Sequence, residues 1–180
     1  MSQNIAAFLD LVNCPVGELS RFTKEDKIDK RLIDSGLVSL DELILSLKFV
    51  RQRIRFLLFQ VSIQDSEADI ITKRGEAARE RRKEVGEMFL RDLEGLTGGQ
   101  STVTVPSHIA SHLANSAHQA AKTFLEWFHT PQEKREAVKR CMSPPCGRFF
   151  KPTKAFDNFC SAKCEGKGNW GVGVRSFLDS

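Results

Sequence analysis

The sequence predicts a mainly α-helical chain that ends in a small module organised by cysteines. Three observations carry that expectation. Apolar residues recur at helical spacing through most of the first 138 positions. Several helix starts are marked by a hydroxyl side chain followed three residues later by an acidic one. Four of the five cysteines fall between residues 141 and 164. At 180 residues, 41% apolar and 28% charged, the chain suits one medium domain with a satellite, and its composition is that of a globular protein.

Taken in order, Ile5, Phe8, Leu9 and Val12 have the i, i+3, i+4, i+7 spacing of a first helix, which Cys14-Pro15 closes. Thr23 with Asp26 starts a second, carrying Ile28, Leu32 and Ile33 inward and stopping at Gly36. Ser39 and Glu42 form a capping box. The stretch behind it repeats Leu40, Leu43, Ile44, Leu47, Ile54, Leu57, Leu58 and Val61 at helical intervals, and it is the strongest core element.

A longer, more polar helix is expected from about Ser66 to Leu93. Its Arg79, Arg81, Arg82 and Lys83 are interleaved with Glu76, Glu80, Glu84 and Glu87, which reads as a solvated face with i,i+3 and i,i+4 ion pairs rather than a nucleic-acid patch. Gly95, Gly98 and Gly99 then open a loop in which "STVTV" has the pattern of a brief strand. Ser107 caps a helix that carries Ile109, Leu113, Ala117, Ala120, Ala121, Phe124, Leu125 and Phe128. Thr130, Pro131 and Glu133 form a further capping box, whose helix delivers the chain to Cys141.

Little in the first 138 residues points to catalysis. His108 and His112 lie four apart, but Ile109 stands where a zinc protease needs glutamate. Glu126 and His129 have Glu-x-x-His spacing without the second copy that a di-iron bundle requires. Cys14, at the end of an apolar helix, reads as a buried structural thiol. With no nucleophile-elbow, paired-carboxylate or dinucleotide signature, the expectation is a non-enzyme. The N-terminus has neither the cationic start nor the apolar run of a secretory signal, and no stretch approaches a membrane span. A cytoplasmic location without membrane contact is expected, where clustered cysteines mean metal more often than disulfide.

The cysteine segment is the informative part. Cys141-x4-Cys146 and Cys160-x3-Cys164 are two close pairs separated by 13 residues. Each pair can bite one ion from a tight turn, and the span between can return as a hairpin. Four soft thiolates suit Zn²⁺ in a closed tetrahedral site. Iron–sulfur ligation shares the donor set, and the hairpin layout favours zinc. Pro144, Pro145 and Gly147 supply turn chemistry, while Phe149, Phe150, Phe156 and Phe159 offer apolar contacts. A zinc turn, a hairpin and a short helix bearing the last ligand make a treble-clef-like module. Residues 139–175 hold eight basic and two acidic side chains, a net +6, which leaves −2 for the rest of a chain whose total is +4. Even after a Cys₄ zinc site contributes −2, the segment stays basic, and an anionic partner is expected.

The same residues carry a resemblance. Cys141, Cys146, Gly147, Phe150, Phe159, Cys160, Ser161 and Cys164 stand where the CGNR zinc finger has its cysteines, its Cys-Gly, its aromatics and its Cys-Ser. "FLDLVNC", "LIDSGLVSLDEL" and "VRQRIRFLLF" are similar to the opening of the helical ABATE domain that usually precedes that finger. The sequence departs from the family in following Cys164 with Glu165-Gly166-Lys167 instead of Gly-Asn-Arg. The resemblance implies a DNA-binding transcriptional regulator and a small-molecule ligand for the helical domain. On this reading residues 1–138 form a helical domain with a ligand-sensing or dimerisation role, 139–172 the Cys₄ zinc module, and 173–180 a tail. Arg148, Lys151, Lys154, Lys163 and Lys167 are then the candidate phosphate contacts. The alternative expectation is a zinc-stabilised protein-interaction or assembly factor that meets a protein partner and no DNA.

Overall fold

Long apolar periodicity makes helices, and helices dominate the computed structural model, which describes residues 5–64, 73–98, 105–143, 145–154 and 157–168. The chain divides into two units, Met1–Arg135 and Glu136–Ser180. In the first, α1 (Ala6–Asn13) and a 3₁₀ turn (Val16–Glu18) lead to α2 (Ser20–Glu25) and α3 (Lys27–Asp34). The long α4 (Leu40–Gln64) and α5 (Lys73–Gly98) follow, then α6 (Ser107–Ser111) and α7 (Asn115–His129). No helix among the described residues is long and apolar enough to cross a membrane.

Helix α4 is the centre of this unit and packs against α1, α5 and α7. Its Leu43, Leu47, Val50, Ile54, Leu57 and Leu58 are buried, which matches the periodicity read from the sequence. Across from them Phe8, Phe124 and Trp127 form an aromatic cluster with ring centroids 5.5–5.8 Å apart. Arg53 and Asp92 tie α4 to α5 by a buried ion pair of 2.7 Å, with the guanidinium lying over the Phe49 ring.

Several helix ends are finished by partners far away in sequence. The last carbonyls of α1 accept hydrogen bonds from α4: Arg55 Nη1 donates to Val12 O at 2.7 Å, and Arg51 Nε to Cys14 O at 3.1 Å. The N-terminus of α7 has no cap of its own. Instead the buried Asp29 of α3 accepts from Asn115 N at 2.7 Å, Ser116 Oγ at 3.0 Å and Ser116 N at 3.4 Å. Ser46 Oγ of α4 accepts from Ala114 N at 3.0 Å. Burial pushes the Asp29 carboxyl above the ordinary carboxylate range, against the opposing pull of those donors.

Local signals hold where both partners are close in sequence. Ser39 N donates to Glu42 Oε2 at 2.8 Å while Glu42 N donates to Ser39 Oγ, a complete capping box. Gly36, at φ +71°, ends α3 with bonds from Gly36 N to Ile33 O and from Leu37 N to Leu32 O, the Schellman pattern.

Other expectations are corrected. Asp26, rather than Thr23, caps α3, with Oδ1 accepting from Ile28 N and Asp29 N; Thr23 lies buried inside α2 and bonds back to Ser20 O. Ile28 is exposed, because the α3 face that turns inward carries Asp29. Helix α5 runs through Gly95, which is buried, to Gly98; the roughly 1 kcal/mol weakness of a helical glycine is tolerated in a packed helix. The helix begun by Ser107 breaks at 112–114, since Ser46 and Asp29 draw the amides of 114–116 away from intrahelical partners. Residues 131–138 contain a turn at 132–135 and no helix: Lys134 N bonds Pro131 O, and Thr130 Oγ1 bonds back to Glu126 O. So short a segment cannot sustain a helix without an apolar face to bury. The expected strand at 101–105 and the start of α5 at Ser66 lie outside the described residues, save for Val105, which is in a bend.

Asp29→Ala leaves two backbone amides and a hydroxyl of the α7 start without acceptors inside the unit. It should destabilise the helical unit by about 2–4 kcal/mol. Urea unfolding followed by tryptophan fluorescence measures this, and Asp29→Asn, which keeps one acceptor, should lose less. A midpoint within error of wild type would show that the long-range cap is unimportant.

Candidate metal centre

The second unit starts from two residue pairs. Lys139–Arg140 (β1) and Phe149–Phe150 (β2) pair antiparallel, Lys139 opposite Phe150 and Arg140 opposite Phe149. Cys141 directly follows β1, and Cys146 lies three residues before β2. Cys141 N donates to Arg148 O at 2.7 Å, and Cys146 N to Ser143 O at 2.9 Å. Gly147, at φ +57°, lets the chain turn back from Cys146 into β2. The hairpin expected in the span between the two cysteine pairs is thus found around the first pair, and the described residues of 151–161 form no strand.

The second pair is delivered by a different device. The Asp157 carboxylate closes a turn by accepting from Thr153 Oγ1 at 2.5 Å, Lys154 N at 2.8 Å and Thr153 N at 2.9 Å. Those bonds, the hydroxyl's first, hold Asp157 below the ordinary carboxylate range. Met142 N donates to Asn158 O at 3.0 Å and pins the returning chain beside the first loop. Cys160 follows, Ser161 O accepts from Glu165 N at 3.1 Å, and α8 (Ala162–Gly168) carries Cys164 one turn on. Asp157 is a positioning residue that the ligand spacing alone does not reveal. Its carboxylate reaches back three and four residues to Lys154 and Thr153, which ligand spacing and charge counting do not signal.

The four sulfurs converge. Cys141, Cys146, Cys160 and Cys164 place their Sγ atoms within 4.8 Å of one another, with Cys146–Cys160 at 3.5 Å and Cys160–Cys164 at 3.6 Å. Metal–sulfur bonds of about 2.3 Å in a tetrahedron give sulfur–sulfur edges of about 3.8 Å. The donor set therefore fits a four-coordinate soft-ligand site, with zinc the plausible ion and all four positions filled by protein. Burial and the neighbouring thiols push Cys160 up to about 12, burial raises Cys146 as well, and bonds from Ser161 and Cys160 draw Cys164 down to about 7. Sulfurs this close cannot all hold negative charge by themselves, and a divalent cation held by the four would supply the compensation. Cys14 stands apart, buried in the helical unit, where burial raises its thiol.

The candidate phosphate contacts are distributed over the same unit. Arg148 leads into β2, Lys154 sits in the Asp157-closed turn, and Lys163 is in α8; all three are exposed. Lys151 is exposed too, but its Nζ is 3.0 Å from Glu136 Oε2. Lys167 follows in α8. Phe149 is buried, and Phe150 and Phe159 are half-buried, as module contacts should be; Pro144, Phe156 and the tail 173–180 lie outside the described residues. Comparison with known proteins finds no matching family model, no similar curated protein and no similar solved structure.

Protein purified without chelator should contain one zinc per chain by elemental analysis. Cys160→Ser should lose it and unfold the C-terminal unit, while Cys14→Ala keeps full zinc content. Metal-free wild type, or zinc loss in Cys14→Ala, would contradict this ligand set. Because protons compete with metal for thiolate, zinc affinity must fall as pH falls. Gly147→Ala forces an L-residue into the left-handed region at about 1–2 kcal/mol. It should release zinc to a chromophoric chelator faster than Gly147→Asn, and equal release rates would count against a role for that turn.

Proposed function

We propose that the C-terminal unit is a structural zinc module that binds DNA, and that the chain is a transcriptional regulator rather than an enzyme. The observation that carries this reading is the convergence of four sulfurs in a unit whose exposed surface holds Arg148, Lys154 and Lys163. A metal enclosed by four thiolates has no open position for substrate, so its role is to hold shape. The cations held on that shape then meet phosphates, which gives affinity and register without sequence information. The resemblance to the CGNR finger supports the same reading. Zinc-bound thiolates require a reducing compartment, and the cytoplasm is the setting this function implies.

The pairing of Lys151 with Glu136 redistributes the expected roles. A lysine already neutralised by a carboxylate adds little to counterion release, so Lys154 and Lys163 are the contacts to test first. A second reading, a zinc-stabilised protein-interaction factor, is favoured by one observation. Met142 is 66% exposed in the zinc loop, where an apolar side chain suits a protein surface better than a phosphate backbone.

Fluorescence anisotropy of zinc-loaded full-length protein on a labelled duplex at several salt concentrations separates the readings. Lys154→Gln with Lys163→Gln should weaken binding to all sequences alike and make the logarithmic salt slope shallower by about two units. Lys151→Gln should change the slope by less than either. Unchanged affinity and slope with zinc retained would remove these lysines from the interface. Failure of the zinc-loaded wild type to bind any duplex pool would leave the protein-interaction reading.

A further inference from the structure

The helical unit holds a cavity of about 430 Å³ between α4, α5 and α7 that plays no part in the zinc chemistry. We propose that it is a binding site for a small organic anion with an apolar body, of the chemistry of a medium-chain or aromatic monocarboxylate. The inference is independent of what the C-terminal unit binds.

The cavity's apolar surface comes from Leu57 of α4, Leu90 of α5 and Phe128 of α7. Leu90 and Phe128 are half-buried, so part of their surface remains for a ligand to cover. Gly86 lies between these walls and Gln60, whose Nε2 donates to Arg82 O and whose carboxamide occupies the place a Cβ at Gly86 would take. Absence of a side chain at residue 86 is therefore what keeps α4 and α5 bridged beside an open space. A volume of this order suits a molecule rather than a few waters.

Charge around the cavity is organised by the helix itself. At 3.6 residues per turn, Arg79, Arg82, Lys83, Gly86 and Leu90 fall within an arc of roughly 100°, and Glu80 and Glu87 lie about 80–100° round from Arg79. Arg79 and Lys83 thus share the arc of Gly86 and Leu90, Arg82 stands at one edge of it, and both carboxylates lie beyond the other edge. Among the described residues none of Arg79, Arg82 and Lys83 makes an ion pair within 4.0 Å, so the i,i+3 and i,i+4 pairs expected for this face are not closed. Two guanidinium forks and an ammonium beside an apolar floor recognise one carboxylate attached to a hydrocarbon body.

The test uses the full-length, zinc-loaded protein and two probes, 1-anilinonaphthalene-8-sulfonate and decanoate. The dye should gain fluorescence saturably at one site per chain, and decanoate should displace it while decyltrimethylammonium does not. Arg79→Gln, Arg82→Gln and Lys83→Gln combined should weaken both anions at least ten-fold without changing the circular dichroism. Gly86→Leu drives its side chain into the Gln60 carboxamide and should weaken binding by displacing the α4–α5 bridge beside the cavity; should that variant not fold, the charge variant, built away from the core, still decides. Absence of saturable dye binding, equal displacement by the cationic amphiphile, or unchanged affinity in the charge variant would each overturn the proposal.

Discussion

Among the described residues of the C-terminal unit, Cys141, Ser143 and Phe149 are the buried ones. So little apolar surface cannot offset the conformational entropy lost when some 30 residues are ordered. The structure of that unit depends on its four sulfurs being held together. Each local device serves that convergence: the two-residue ladder of β1 and β2, the left-handed Gly147, the Asp157-closed turn and the start of α8. A cation that binds four thiolates makes those weak local preferences mutually reinforcing, and its removal would leave each to stand alone.

The helical unit solves the opposite problem. It has ample core, and its difficulty is to satisfy backbone groups at helix ends packed inside it. It does so with side chains borrowed from other helices, Asp29 and Ser46 for the start of α7 and Arg51 and Arg55 for the end of α1. These bonds also fix which helices are neighbours, because a cap in trans works only when the two elements are docked. Burial and polar satisfaction are thus the same constraint, read once from the apolar face and once from the helix termini.

That distinction explains what was legible in the sequence. The Ser39–Glu42 box, the Gly36 stop, the apolar face of α4 and the quartet Cys141, Cys146, Cys160 and Cys164 depend on residues near one another in the chain, and spacing alone reveals them. The break between α6 and α7 was hidden, since its causes lie 68 and 86 positions away at Ser46 and Asp29. Thr23 and Asp26 read as one capping box, whereas α3 starts after Asp26, which is itself the cap and is held by Asn115 of α7. Thr130 carried the letters of an N-cap but closes the helix before it, because the residues beyond have no apolar face to bury. Within the metal site the ligands were legible and their support was not. Asp157 and Glu136 act on the turn and on Lys151 in ways that charge counting cannot anticipate.

We propose that these four sulfurs share one metal ion. X-ray absorption at the zinc edge of the purified protein tests it directly. A single shell of four sulfur scatterers at about 2.3 Å, with no nitrogen or oxygen in it, is expected. A shell containing histidine nitrogen or water oxygen, or fewer than four sulfurs, would contradict the closed Cys₄ site on which the reading of the C-terminal unit rests.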